Sequence, residues 1–182
     1  MAAYDLSVKL APNIPTREKL EEYQYIGYKS FEQGEKNSGI HFWLQAWKTF
    51  KDLKDTDVKF VNELDVRYSS AYSFNEWSNK FEEELRVICH EDKTFLKIRA
   101  NFCSDFAKVL PESFPDVIEK MLFSEAESYY LMGKKELALK KLNKVIKKFP
   151  YISRWKFPSE FPYPYTYQQQ SNIRKNEAIN KK

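Results

Sequence analysis

Apolar residues recur three or four positions apart along most of residues 17–149, which is the spacing of one buried face of an α-helix. The alternation of apolar and polar residues that is typical of strands is nearly absent. The pattern therefore predicts an all-α protein of about seven helices. The predicted helices cover about residues 17–35, 37–53, 57–70, 74–89, 92–109, 115–132 and 134–149.

Residues at the predicted helix ends support a single helical domain. Thr16 can cap the first helix, because its hydroxyl can accept a hydrogen bond from a free backbone N–H of the first turn. Pro115 suits the first turn of the sixth helix, where its missing N–H is not needed. We therefore assign residues 16–150 to a helical domain, residues 1–15 to a lead-in segment and residues 151–182 to a C-terminal arm.

Two stretches of the chain resemble each other and the tetratricopeptide repeat, a pair of helices joined by a tight turn. In that repeat, small residues let the two helices approach closely, a glycine makes the turn and a proline ends the second helix. The matching positions of the clearer copy are Ala126, Tyr129, Gly133, Ala138, Leu142, Val145 and Pro150, and those of the weaker copy are Gly27, Gly34, Gly39, Trp43 and Ala46. Gly34 and Gly133 lie 99 residues apart, close to three repeats of about 33–34 residues.

The middle of the chain is similar to an uncharacterised bacterial family of tetratricopeptide-like proteins. The similarity covers roughly residues 20–150 and implies a helical solenoid without implying any chemistry. Members of that family often carry a cysteine-rich, SecA-type zinc motif, which this sequence lacks. The residues that carry the similarity are Trp77, Glu82, Glu83, Glu84, Leu85, Arg99, Phe102, Cys103, Phe106, Glu125, Ala126, Glu127, Ser128 and Tyr129.

Three charged residues, Glu84, Arg99 and Glu125, lie on otherwise apolar helix faces. If the helices on either side of the turns near residues 91 and 112 are antiparallel, Arg99 is expected to lie level with Glu84 in the first pair and with Glu125 in the second pair. A buried charge nearly always has a partner, and the planar guanidinium suits carboxylates. We therefore predict a structural ion-pair cluster. The alternative, a catalytic carboxylate pair, lacks an accompanying nucleophile, metal ligand or phosphate loop.

No other residues form a recognisable catalytic, cofactor or metal site. The four glycines are never adjacent, which excludes the common glycine-rich phosphate loops. His41 and His90 fall in predicted turns without further ligands at metal-binding spacing. Cys89 and Cys103 are too few for a disulfide scaffold or a four-thiolate zinc site. The sequence predicts neither an enzyme nor a bound cofactor.

Positive charge is concentrated at the C-terminal end. Residues 1–133 contain 17 Lys and Arg against 23 Asp and Glu, whereas residues 134–182 contain 13 against three. Lys140 and Lys144 lie in the predicted last helix and are candidate partner-binding residues. The lysines are interpreted either as a solvated helix face or as a contact for an anionic partner, such as nucleic acid or an acidic protein surface.

The C-terminal arm is rich in proline and aromatic residues, and its aromatics fall on odd-numbered positions. In an extended chain these side chains share one side, and the prolines favour such a backbone. The arm is expected either to dock on the helical domain or to form a recognition strip for a partner. The candidate partner-binding residues of the arm are Trp155, Phe157, Tyr163 and Tyr165.

These features predict a non-enzymatic protein-binding scaffold or adaptor, because stacked helix pairs form a curved surface that commonly holds a peptide or another domain. The alternative is a nucleic-acid-binding regulator that uses the lysine-rich last helix and the aromatic arm. No apolar run approaches the length of about 20 residues that spans a membrane. The first residues also lack the apolar segment of a signal peptide, so a cytoplasmic location is expected.

Overall fold

The computed structural model describes residues 15–54, 57–68 and 72–150. Within these ranges the chain forms seven α-helices and no β-strand, which confirms the predicted all-α class. The helices are α1 (Arg17–Glu32), α2 (Lys36–Leu53), α3 (Val61–Tyr68), α4 (Phe74–Glu91), α5 (Phe95–Val109), α6 (Pro115–Leu131) and α7 (Lys135–Lys148).

Two of the predicted segments lie outside the described residues. The lead-in over residues 1–15 is outside them except for Pro15, and the arm over residues 151–182 is entirely outside them. The predicted partner-binding residues of the arm are therefore outside the described part of the chain: Trp155, Phe157, Tyr163 and Tyr165.

Most predicted helix boundaries agree with the structure to within two or three residues. The Thr16 hydroxyl accepts a hydrogen bond from the Lys19 backbone N–H at 3.2 Å, so the predicted cap of α1 is confirmed. Pro115 occupies the first turn of α6, also as predicted. α5 begins three residues later than predicted, because the backbone N–H of Asp92 still bonds to Ile88 and closes α4.

Most of the helices pack on the next helix along the chain. α1 packs along α2, α5 packs on both α4 and α6, and α6 packs along α7, while α2 also contacts α4. The segments before α3 and α6 are joined by hydrogen bonds, since Val61 N donates to the Ser113 hydroxyl at 3.0 Å and Glu112 N donates to the Lys59 carbonyl at 3.0 Å. These bonds tie the short helix α3 to the entry of α6.

The turns at Gly34 and Gly133 have the same backbone conformation. Their φ angles are 78° and 77°, in the left-handed region that glycine adopts without strain. Four backbone hydrogen bonds around Gly34 recur around Gly133 with every residue number raised by 99; for example, Glu35 N bonds to Ser30 O and Lys134 N bonds to Tyr129 O. The glycines predicted to make equivalent turns therefore do so.

The first helix pair approaches so closely that two of its positions admit only glycine. A Cβ atom on Gly27 of α1 would lie 2.1 Å from Trp43 Cδ1 of α2, and a Cβ on Gly39 of α2 would lie 2.6 Å from Phe31 Cε2 of α1. An aromatic ring of each helix thus packs against a glycine of the other helix. Ala126 and Ala138, which match Gly27 and Gly39 in the second pair, are fully buried.

One large aromatic core holds α1 through α6 together. Trp43 and Trp77 are fully buried with ring centroids 6.2 Å apart, and Trp47 lies between rings of α2, α4 and α5. Burial of one such side chain stabilises the fold by about 1.5–3 kcal/mol. α7 packs on a smaller cluster formed by Phe123, Ala126 and Leu142. The last helix is therefore attached mainly to α6.

Candidate functional site

Arg99 is buried and forms the centre of a charged cluster, but its carboxylate partners are not the predicted ones. Its Nε and Nη2 atoms donate to Glu82 Oε1 at 3.0 and 2.7 Å, and Nη1 donates to Glu127 Oε2 at 2.7 Å. Lys120 Nζ lies 3.3 Å from Glu82 Oε2. Arg99 and Glu82 are each 2% exposed. One guanidinium does bridge two carboxylates, as the sequence suggested.

The predicted partners of Arg99, Glu84 and Glu125, bind other residues. Glu84 forms an ion pair with Lys80 at 3.0 Å on its own helix, and buried Glu125 accepts from Lys141 Nζ at 2.6 Å. The prediction was wrong because it used only the position of each residue along the helix axis and not the direction in which its side chain points. Residues two apart in a helix point about 160° away from each other, so an error of two residues selects the opposite face.

The charges in this cluster stabilise one another. Burial raises the pKa of Glu82, but the charges of Arg99 and Lys120 lower it more, and the net pKa lies below the ordinary value of 4.5. Burial lowers the pKa of Arg99, but the carboxylates of Glu82 and Glu127 raise it above its ordinary value. Glu82 and Arg99 are therefore both charged at neutral pH. Since Glu82 and Arg99 are buried, their geometry is that of an internal ion-pair network.

Both cysteines are buried and both histidines are exposed. Burial raises the pKa of Cys89 to about 11 and raises the pKa of Cys103 well above its ordinary value, so both thiols are protonated at neutral pH. His41 and His90 are exposed on helices α2 and α4. Among the described residues there is no group of three or more His, Cys, Asp or Glu side chains that could hold a metal ion.

None of the helices in the described ranges combines the length and the apolar character needed to cross a membrane.

An open groove runs across helices α1, α4 and α6, and we call it the α1/α4/α6 groove. It consists of two adjoining cavities of about 520 and 480 Å³ that share Asn75, Asn79 and Lys120. Tyr28 of α1 lines one end, and Phe114 and Val117 line the other. Phe114 is 46% exposed although it is a large apolar residue. The groove therefore offers amides, charges and an accessible aromatic ring on one surface.

Hydrogen bonds hold the polar side chains at the centre of this groove. Asn79 Nδ2 donates to the Asn75 carbonyl at 2.9 Å, and Lys120 Nζ donates to Asn79 Oδ1 at 3.1 Å. Lys120 also reaches the buried Glu82, so the Arg99 network fixes the position of a groove residue. The groove rim is acidic. Glu76 and Asp116, which line it, form no ion pair in the described part of the chain.

A second depression lies on helices α2, α5 and α7 with Glu125 and Tyr129 of α6 between them, and we call it the α2/α5/α7 cleft. It has a volume of about 640 Å³ and shares no lining residue with the α1/α4/α6 groove. Lys48, Lys51, Lys108 and Lys141 line it. The candidate residues Lys140 and Lys144 are both exposed on α7, the helix that supplies Lys141.

Comparison with protein-family models, with curated proteins and with solved structures gave no match for this chain. The similarity to tetratricopeptide proteins therefore rests on the residues quoted above.

Sequence reasoning missed the groove residues and three of the four members of the charged cluster, Glu82, Glu127 and Lys120. Asn75 and Asn79 are four residues apart, which places them on one face of α4. The same helix has a second buried row, formed by Ser78, Glu82 and Cys89. It runs beside the buried aromatic row of Trp77 and Phe81. That second row was the available signal that Glu82, rather than Glu84, faces the interior.

Proposed function

We propose that this chain is a non-enzymatic protein-binding scaffold or adaptor, a tetratricopeptide-like helical solenoid that holds a partner in the α1/α4/α6 groove. The observation that carries the proposal is the groove itself, because helices α1, α4 and α6 jointly expose amides, charges and an aromatic ring along one surface. The equivalent turns at Gly34 and Gly133 support a repeated architecture. Helical repeats commonly use such a surface to hold a peptide.

The groove chemistry favours an extended segment of a protein partner. The side chains of Asn75 and Asn79 can exchange hydrogen bonds with a peptide backbone, since an amide both donates and accepts. Phe114 and Val117 can take up an apolar side chain of the partner. The acidic rim at Glu76 and Asp116 favours a segment that carries lysine or arginine, by charge complementarity. The arm and the exposed lysines Lys140 and Lys144 of α7 are proposed as further contacts for a partner.

A selection from a random peptide library displayed on phage tests this proposal. The full chain is the bait, and enriched peptides are then measured against two charge-reversal variants. Glu76→Lys with Asp116→Lys alters the groove, whereas Glu18→Lys with Glu136→Lys is the matched control. All four residues are exposed and lie in the first turn of a helix, so their effects on helix stability are alike.

We expect one set of the enriched peptides, the groove set, to be rich in basic and apolar residues. Their affinity should fall at least about tenfold, or 1.4 kcal/mol, in the groove variant and stay unchanged in the control variant. Failure to enrich any peptide would contradict the proposal. Equal loss of affinity in both variants would also contradict it, because the peptides would then respond to net charge and not to the groove.

A further inference from the structure

Charge is distributed unevenly between the residues that line the two depressions. The α1/α4/α6 groove is lined by four acidic residues against two lysines: Glu76, Glu83, Asp116 and Glu119, with Lys80 and Lys120. The α2/α5/α7 cleft is lined by four lysines against two acidic residues: Lys48, Lys51, Lys108 and Lys141, with Asp105 and Glu125. The two surfaces therefore carry opposite charge, although the whole chain has a formal net charge of only +4.

The carboxylates in the α2/α5/α7 cleft are already neutralised within the chain. Asp105 accepts hydrogen bonds from Lys51 Nζ at 2.6 Å and from Trp47 Nε1 at 3.0 Å. Glu125 is only 2% exposed and is paired with Lys141. Two positive charges of the cleft remain without such a partner. Lys48 of α2 and Lys108 of α5 are exposed and form no ion pair with any residue that the structure describes.

The rest of the cleft lining distinguishes between anionic partners. Leu44 and Ile98 are half-buried and present apolar surface between the lysines. Trp47 and Phe102 are only 4% and 2% exposed, so their rings are part of the core and are not accessible to a partner. Only Tyr129, also half-buried, leaves part of a ring open in this lining. Single-stranded nucleic acid is held by successive bases on aromatic rings, and this lining does not offer them.

We propose that the α2/α5/α7 cleft binds an acidic segment of a protein partner, whose carboxylates pair with Lys48 and Lys108 while an apolar side chain packs on Leu44 and Ile98. This surface is separate from the α1/α4/α6 groove, and the inference does not depend on what the groove holds. An adaptor with both sites joins a basic segment and an acidic segment on one rigid helical body. Exposed lysines around the cleft speed the encounter with an acidic partner.

Fluorescence anisotropy with the full chain tests this inference. The probe is a fluorescein-labelled peptide of leucine and glutamate. A peptide with glutamine in place of glutamate and a single-stranded DNA of equal length serve for comparison. Lys48→Glu with Lys108→Glu alters the cleft, and the milder pair Lys48→Gln with Lys108→Gln removes its charges without reversing them. Arg86→Glu with Lys93→Glu is the control, because both residues are exposed and neither lines the cleft.

We expect the acidic peptide to bind the wild-type chain, and its dissociation constant to rise at least about tenfold with Lys48→Glu and Lys108→Glu. The glutamine variant should show a smaller loss with an unchanged melting curve, and the Arg86 and Lys93 control should bind normally. Three outcomes overturn the inference: no binding of the acidic peptide, equal loss in the control variant, or DNA that binds more tightly than the peptide and loses affinity in the cleft variants. The last outcome would assign the cleft to nucleic acid.

Discussion

At the scale of single residues, the buried Arg99 cluster is the most constrained feature of the chain. Arg99, Glu82, Glu127 and Lys120 join α4, α5 and α6 through contacts of 2.7–3.3 Å. Removal of charges from water is costly, and the cost is offset only where every charge has well-placed partners. The cluster therefore makes the mutual position of these three helices depend on one side chain. Since Lys120 belongs to the α1/α4/α6 groove, the same contacts also shape that groove.

Loss of Arg99 should strongly destabilise the fold. Arg99→Ala leaves Glu82 and Glu127 close together without their shared cation, and we expect the free energy of unfolding to fall by about 3–5 kcal/mol. Lys140→Ala, on the exposed face of α7, should change it by less than about 0.5 kcal/mol. Urea denaturation followed by circular dichroism measures both. Equal stability of Arg99→Ala and the wild type would show that the cluster is not buried in solution.

The contribution of Glu82 should depend on pH with a defined sign. Its pKa in the folded state lies below 4.5, so its stabilising effect is complete above about pH 4.5 and is lost as the pH falls through the folded-state pKa. Glu82→Gln should therefore destabilise the protein at pH 7 by about 3 kcal/mol, and the difference from the wild type should shrink in acid. Glu84→Gln should cost less than about 1 kcal/mol at pH 7. Larger destabilisation by Glu84→Gln would refute the assignment of partners.

Helix-pair arithmetic from the sequence gave the heights of the charged residues but not their directions. It placed Arg99 level with residues near 83 and 125, and the observed partners are Glu82 and Glu127. It also accounts for Glu125 and Lys141, which lie eight residues on either side of Gly133 and pair at 2.6 Å. The direction of a side chain changes by about 100° per residue. Only the packing of several helices decides it.

At the scale of helices and turns, the first pair differs from the second in how it achieves close approach. Gly27 admits the indole ring of Trp43, whereas the matching Ala126 lies in a cluster with Leu142. Gly27 and Trp43 of the first pair thus correspond to Ala126 and Leu142 of the second pair. In the second pair the small residue is larger and the apolar residue is smaller. Substitutions at the two positions of one pair should consequently be coupled.

A double-mutant cycle at Gly27 and Trp43 measures that coupling. Gly27→Ala should destabilise the chain by about 1–3 kcal/mol, because the new methyl group overlaps the buried indole. Trp43→Leu should be destabilising by itself through the cavity it leaves. The double variant reproduces the residues of the second pair, and we expect it to be at least about 0.5 kcal/mol more stable than the sum of the single effects predicts. Strict additivity in denaturation experiments would contradict the close approach at Gly27.

Helix positions and the two glycine turns could be predicted because they depend on local signals. Periodic apolar residues, the Thr16 cap and the left-handed glycines act within one or two turns of the chain. α3 was the least well predicted helix, since it begins at Val61 instead of near residue 57. Its start is tied to the distant Ser113 by a hydrogen bond, and such a contact leaves no mark in the local sequence.

At the scale of the whole molecule, two surfaces of opposite charge lie on one helical body, and we propose that they bind separate partners. The sequence showed a basic C-terminal end, but it did not show that Lys48 and Lys108 of earlier helices adjoin α7 across a cleft. That arrangement follows from side-chain contacts between α2 and α5, such as those of Trp47 with Phe102 and Lys51 with Asp105, and from the packing of α7 on α6. The proposed groove and cleft are therefore products of the fold and not of any one segment.

The most direct test of groove binding follows side-chain amides by NMR as a basic and apolar peptide enriched on the full chain is added. Asn75 and Asn79 line the α1/α4/α6 groove, whereas Asn101 lines the α2/α5/α7 cleft and Asn143 is exposed on α7. The account predicts that the amide signals of Asn75 and Asn79 shift on binding, while those of Asn101 and Asn143 stay unchanged. Shifts at Asn101 or Asn143, with Asn75 and Asn79 unaffected, would contradict it.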